Sequence, residues 1–177
     1  MTTHETYVHA GRMPVERMAP CGDERLSLTY SGSTYTFRGL SPQQRTTAEH
    51  RFAALASEPT ANPRAVEVHV CAALPNTFRS FDRRGWEYCL AASHEGGQTW
   101  LSGMGFVARI DAAPTRETVL WVDPDLGDDF IDPFENLFRA LVCYRVAEAG
   151  GLVVHSAGFA DREAGIVCFG HSGAGKS

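Results

Sequence analysis

The apolar run Ile166-Val167-Cys168-Phe169 leads straight into Gly170-His171-Ser172-Gly173-Ala174-Gly175-Lys176-Ser177. Gly170, Gly175, Lys176 and Ser177 satisfy the phosphate-loop pattern G-x-x-x-x-G-K-[ST]. That pattern constrains local structure tightly. A buried strand must deliver the chain to the loop, glycines must let main-chain N–H groups turn inward, and a helix N-terminus completes the anion cradle. The apolar run supplies the strand. In such a loop the main chain of Gly170, Ser172, Gly173, Ala174 and Gly175 wraps a β-phosphate. Lys176 reaches the β- and γ-oxygens, and Ser177 ligates Mg2+.

Upstream, a period of two dominates. Leu26, Leu28 and Tyr30 alternate with polar residues, and the alternation resumes at Tyr35 and Phe37 after Ser31-Gly32-Ser33, which predicts a hairpin. Val66, Val68 and Val70 also alternate, so Glu67 and His69 share a face. "GWEYCLAAS", "GQTWLSG" and "GFVARID" predict three more strands, separated by "HEGG" and by residues 103–105, and "TVLWVD" predicts another. Trp86, Trp100 and Trp121 fall at strand positions, as core or half-buried side chains. A helix interrupts the series. Ser41 caps it, Pro42 suits its first turn, and it runs over residues 42–57.

The pattern changes at Asp132. Asp132 as N-cap, Pro133 in the first turn and Glu135 as the capping-box partner predict a second helix over residues 133–149. Phe134, Leu137, Phe138, Leu141 and Val142 form its core face, and Gly150-Gly151 stops it. "GLVVHSAGFA" and "GIVCFG" then predict two strands joined by "DREAG". The fold class is α+β: a mainly antiparallel, β-rich N-terminal region with two helices, followed by the first strands of a P-loop domain. Residues 1–22 are expected to be a flexible lead-in, 23–131 the β-rich domain and 132–177 the start of the P-loop domain, with the boundary near residues 128–132.

Composition narrows the partners. The 177 residues are 44% hydrophobic and 21% charged, with a net charge of −5, which leaves no electrostatic footprint for nucleic acid or an anionic membrane. Five cysteines include no C-x-x-C pair, and Cys71, Cys89 and Cys168 lie in apolar runs, as expected of reduced, buried thiols. The N-terminus has no apolar signal-peptide core, and no run approaches the roughly 20 apolar residues of a membrane span. The expectation is a cytoplasmic protein. His4, His9, His50, His69 and His94 have no partners at metal-ligand spacing. Asp123, Asp125, Asp128, Asp129 and Asp132 lack the closing Glu of a calcium loop and read as a solvated linker.

The segment "GGLVVHSAGFADREAGIVCFGHSGAGKS" resembles the start of the catalytic domain of HPr kinase/phosphorylase and its relatives, which share a core with the ATP-dependent phosphoenolpyruvate carboxykinases. In that family one strand carries a histidine, and the next enters a loop of the form G-x-S-G-x-G-K-S. Here His155 stands fifteen positions before Gly170, matching the family spacing. The resemblance covers residues 132–177. It implies a cofactor pair of ATP and Mg2+, a catalytic His155 beside the transferred phosphate, and a phosphoryl acceptor that is a protein serine or a small molecule. HPr kinases usually carry an acidic residue where this chain has His171.

The resemblance further implies that the family's catalytic aspartate and post-loop acidic residue would lie beyond Ser177. The 177-residue chain is therefore read as the N-terminal fragment of such a kinase, not competent alone. Two other readings stay open: a β-rich interaction module with a vestigial P-loop, and the front of an unrelated P-loop ATPase or GTPase.

Overall fold

A computed structural model describes residues 19–58, 65–74, 76–78, 90–111, 117–154, 156–160 and 164–169. The chain divides into two compact units, Met1–Val142 and Cys143–Ser177. The expected α+β class holds.

The first unit is built on a seven-stranded sheet. Ser31 and Gly32 both take left-handed φ, 50° and 73°, and close β1 (Glu24–Tyr30) on β2 (Ser33–Leu40) as a two-residue hairpin. Ser41 then caps α1 (Pro42–Arg51). Its Oγ accepts from the Gln44 N–H at 3.2 Å while its own N–H donates to Gln44 Oε1 at 2.9 Å, a complete capping box. A 3-10 turn at Ala53–Leu55 completes this helical segment, which returns the chain to β3 (Val66–Ala72). A crossover through a helix lays β3 parallel to β2.

Three antiparallel strands follow: β4 (Ala91–Glu95), β5 (Gln98–Gly103) and β6 (Phe106–Asp111). The β4–β5 turn is Gly96-Gly97 alone, with φ of 57° and 81°, which only residues without Cβ adopt freely. His94 and Glu95, expected in this turn, are therefore strand residues. β7 (Glu117–Val122) pairs antiparallel with β6 and parallel with β3. The order is β1-β2-β3-β7-β6-β5-β4. Four of these strand pairs are antiparallel and two are parallel, so the sheet is mixed, a departure from the mainly antiparallel expectation at its centre.

The second helix begins differently from the sequence expectation. Asp123 Oδ1 accepts from the Asp125 N–H at 3.1 Å and caps a 3-10 segment, Pro124–Phe130, which runs through a kink at Gly127 into α2 (Ile131–Glu148). Asp123-Pro124 supplies the same cap-plus-proline pair nine positions earlier, so Asp132 lies inside the first turn of α2 rather than capping it. Its carboxylate there suits the positive end of the helix dipole. Glu135 pairs with Arg51 at 3.1 Å and with Arg139.

The apolar stripe of α2 falls where its spacing placed it: Phe134, Leu137, Phe138, Leu141 and Val142 are buried. Phe134 meets Phe37 at 4.3 Å between ring centroids, and Phe138 meets Tyr35 at 5.1 Å. Phe52, just after α1, packs on both helix phenylalanines. Register carries this core across the sheet, because Tyr35 pairs Val66, Phe37 pairs Val68, and Val70 pairs Leu120, all buried.

Residues 19–22, placed by the sequence in the lead-in, are tied to the sheet. Ala72 N–H donates to Ala19 O at 2.8 Å, Pro20 bridges Cys71, and Gly22 N–H donates to Gly39 O at 3.0 Å.

In the second unit, α2 ends in a Schellman motif. Gly150 N–H donates to Ala147 O at 2.9 Å and Gly151 N–H to Val146 O at 2.8 Å, with Gly150 at φ 75°. Residues 151–154, expected as strand, are irregular. β8 (Ser156–Ala160) and β9 (Gly165–Phe169) form an antiparallel two-stranded sheet. No helix among the described residues is long and apolar enough to cross a membrane.

Candidate functional site

His155 and the loop residues Gly170, Ser172, Gly173, Ala174, Gly175, Lys176 and Ser177 lie outside the described residues. Their immediate neighbours do not. Ser156 is paired with Phe169 at one end of the β8–β9 hairpin, and the register runs from there to Ala160 against Gly165. Covalently, His155 precedes Ser156 and Gly170 follows Phe169. The chain segments that carry the sequence-predicted histidine and loop are thus attached to the same end of one hairpin.

This hairpin exposes apolar side chains. Val167 is 58% exposed, and Leu152, just before the strands, is 82% exposed. An isolated two-stranded ribbon buries too little surface to be stable by itself, and apolar groups of this kind are stabilised by further strands or a packed layer.

In the first unit, strand parity collects charge on the sheet face opposite α2. Thr36 pairs Glu67, and Glu67 pairs Glu117. The adjacent row runs from Arg25 through Arg38, His69 and Val119 to Arg109 and Trp100. Acidic and basic groups therefore stand side by side along β3, at Glu67 and His69, and along β6, at Arg109 and Asp111. Glu67 Oε1 lies 2.9 Å from Arg38 Nε and 3.7 Å from His69 Nε2. Arg109 Nε lies 3.1 Å from Asp111 Oδ1, poorly aligned for a hydrogen bond there, while its NH2 donates to Oδ2 at 3.4 Å and lies 3.6 Å from Glu117. The Arg109 guanidinium also lies 6.0 Å from the centre of the Trp121 ring, and Trp121 stacks on Trp100. The Arg38 set is half-exposed and screened by water, so it orients side chains more than it stabilises them. The Arg109–Asp111 pair is less exposed, with side chains at 19% and 14%.

A cleft of about 520 Å³ opens beside the outer edge of β1. Its walls include Arg25, Arg45, Glu49 and Glu58, with Leu26 as an apolar contribution. One end is closed where Ser57 N–H donates to Ser27 O at 3.0 Å and Ala56 bridges Leu28. Arg45 is held by Glu49 at 3.3 Å and Glu24 at 3.8 Å.

The thiols divide by burial. Cys71 packs with Phe78, Val107 and Trp121, and burial, reinforced by the neighbouring Cys21, pushes its pKa up to about 11. Burial also raises Cys21, against a hydrogen bond with the Gln44 side chain. Neither is an activated thiolate. Cys143 is exposed. Among the described residues no group of three or more His, Cys, Asp or Glu is placed to hold a metal ion.

Sequence reasoning missed the Arg109 cluster and the cleft. The first depends on strand register and the second on how α1 and residues 56–58 lie beside β1, and the alternation of Val66 to Val70 signalled only that Glu67 and His69 share a face. Comparison with family models, with curated proteins and with solved structures finds no match for this chain.

Proposed function

We propose that this chain carries the nucleotide-binding loop of an ATP-dependent phosphotransferase of the HPr kinase type. The observation that supports this reading best is the pairing of Ser156 with Phe169. β9 ends at Phe169, directly before the loop sequence, and the strand paired with it begins immediately after His155. The donor set is chemically suited to a magnesium nucleotide: glycine-rich main chain, one lysine and one serine hydroxyl.

On this reading the amides of Gly170, Ser172, Gly173, Ala174 and Gly175 hold the β-phosphate, and Lys176 offsets charge on the β- and γ-oxygens. Ser177 is the magnesium ligand, and His155 positions the phosphate being transferred. Mg-ATP supplies the phosphoryl group, and the acceptor is a protein serine or a small molecule. Preorganised positive charge aimed at the transferring group lowers the barrier because that charge is worth more in the transition state than in the ground state.

Calorimetric titration of Mg-ATP into the full-length protein tests the reading. Micromolar binding that weakens on the order of a hundredfold in Lys176→Ala is expected, because a charge-assisted phosphate contact is lost. Equal ATP affinity in the two proteins would end it. Transfer of the γ-phosphoryl group, lost in His155→Ala while ATP still binds, separates a kinase from a loop that only binds.

A further inference from the structure

Arg25 is the one guanidinium at the β1 cleft with no ion pair within 4 Å among the described residues. Arg45, across the cleft, has Glu24 and Glu49. Arg38, directly opposite Arg25 on β2, has Glu67. Two like charges facing each other across a strand pair repel, and Glu67 offsets only the Arg38 member of this rung.

We infer that the cleft beside β1 binds a small ligand through a carboxylate or phosphate-monoester oxyanion seated on Arg25. The guanidinium presents a planar fork to the oxyanion. The cavity is the size of small-molecule sites and leaves room for the body of such a ligand. Glu49 and Glu58 in the same walls set an upper limit on ligand charge. They repel a polyanion such as a nucleoside triphosphate, so the inference does not rest on the proposed kinase reading.

Thermal unfolding at matched ionic strength in sodium chloride, sodium acetate and sodium phosphate decides the matter. It is followed for the wild type, Arg25→Gln and Lys176→Ala. At about 50 mM oxyanion, the wild type should melt roughly 2–4 °C higher than in chloride. The increment should vanish in Arg25→Gln and persist in Lys176→Ala. Because Arg25 is exposed, Arg25→Gln should fold, and at low salt without oxyanion it should melt no lower than wild type, since a repulsion has been removed. A phosphate-only increment identifies a phosphoryl ligand; an acetate increment identifies a carboxylate. The inference is overturned by an increment that survives in Arg25→Gln, by one that disappears in Lys176→Ala, or by oxyanions that act no differently from chloride.

Discussion

The ring of Phe134 on α2 lies 4.3 Å from that of Phe37 on β2, centroid to centroid and tilted by 36°, with both side chains fully buried. Phe52 and Phe130 also contact Phe134, so this one ring joins the sheet, the end of the first helical segment and the approach to the second. Phe134→Ala should therefore cost about 3–5 kcal/mol, the range for emptying a buried aromatic site. Paired with Phe37→Ala in a double-mutant cycle, it should show a coupling of about 0.5–1.5 kcal/mol. Urea denaturation measures both. A loss below about 1 kcal/mol for Phe134→Ala would mean that the helix does not pack as described.

Gly39 is constrained twice. Its φ is 82°, and a Cβ there would stand 2.6 Å from Val70 O and 2.9 Å from Pro20 Cβ. Backbone strain and a backbone clash together predict that Gly39→Ala costs on the order of 2 kcal/mol or more and loosens the attachment of residues 19–22 to the sheet. Gly32 provides the control. Its φ is 73° with nothing within 4 Å of a Cβ, so Gly32→Asn should change stability by less than about 1 kcal/mol. Equal losses in the two variants, read from denaturation midpoints, would refute the steric account.

Cys71 links stability to alkaline pH. Its folded pKa of about 11 lies above the ordinary 9.0, so the folded state holds the thiol proton more tightly than the unfolded chain. Below pH 9 both states are protonated and the contribution is complete. Between pH 9 and 11 the unfolded chain ionises first, and stability falls. Cys71→Ala should lower stability at pH 8 by leaving a small void beside Trp121, yet show a shallower decline over that window. Parallel pH profiles for wild type and variant would show that another group governs the alkaline limb.

Local chemistry wrote much of this fold into the sequence. Ser31-Gly32 announced the first hairpin, Ser41-Pro42 the start of α1, and the spacing of Phe134, Leu137, Phe138 and Leu141 the buried stripe of α2. Neighbour choice was hidden. Alternation at Val66, Val68 and Val70 shows that β3 has two faces but is indifferent to whether its partners run parallel or antiparallel, which the crossover through α1 decides. Asp132 misled because a good cap in the wrong place looks the same as one in the right place; Asp123-Pro124 had already begun the helical segment. The phosphate loop was legible as a pattern of residue types, since its chemistry resides in glycine main chain and one lysine. The Arg109 and Arg25 clusters were not, because the first depends on strand register and the second on how α1 and residues 56–58 lie beside β1.

β7 joins two halves of the sheet made at different times. Strands β1, β2 and β3 precede it by more than forty residues, and β4, β5 and β6 come just before it, yet β7 alone pairs with both β3 and β6. On a ribosome delivering the chain from its N-terminus, β3 therefore emerges with one edge satisfied by β2 and the other offering unpaired amides and carbonyls until Val122 has appeared. The antiparallel meander can zip locally, but it has nothing to dock on without β7. Closure of the sheet is a late, long-range event, and the interval before it is when this protein is most exposed to pairing with strands other than its own.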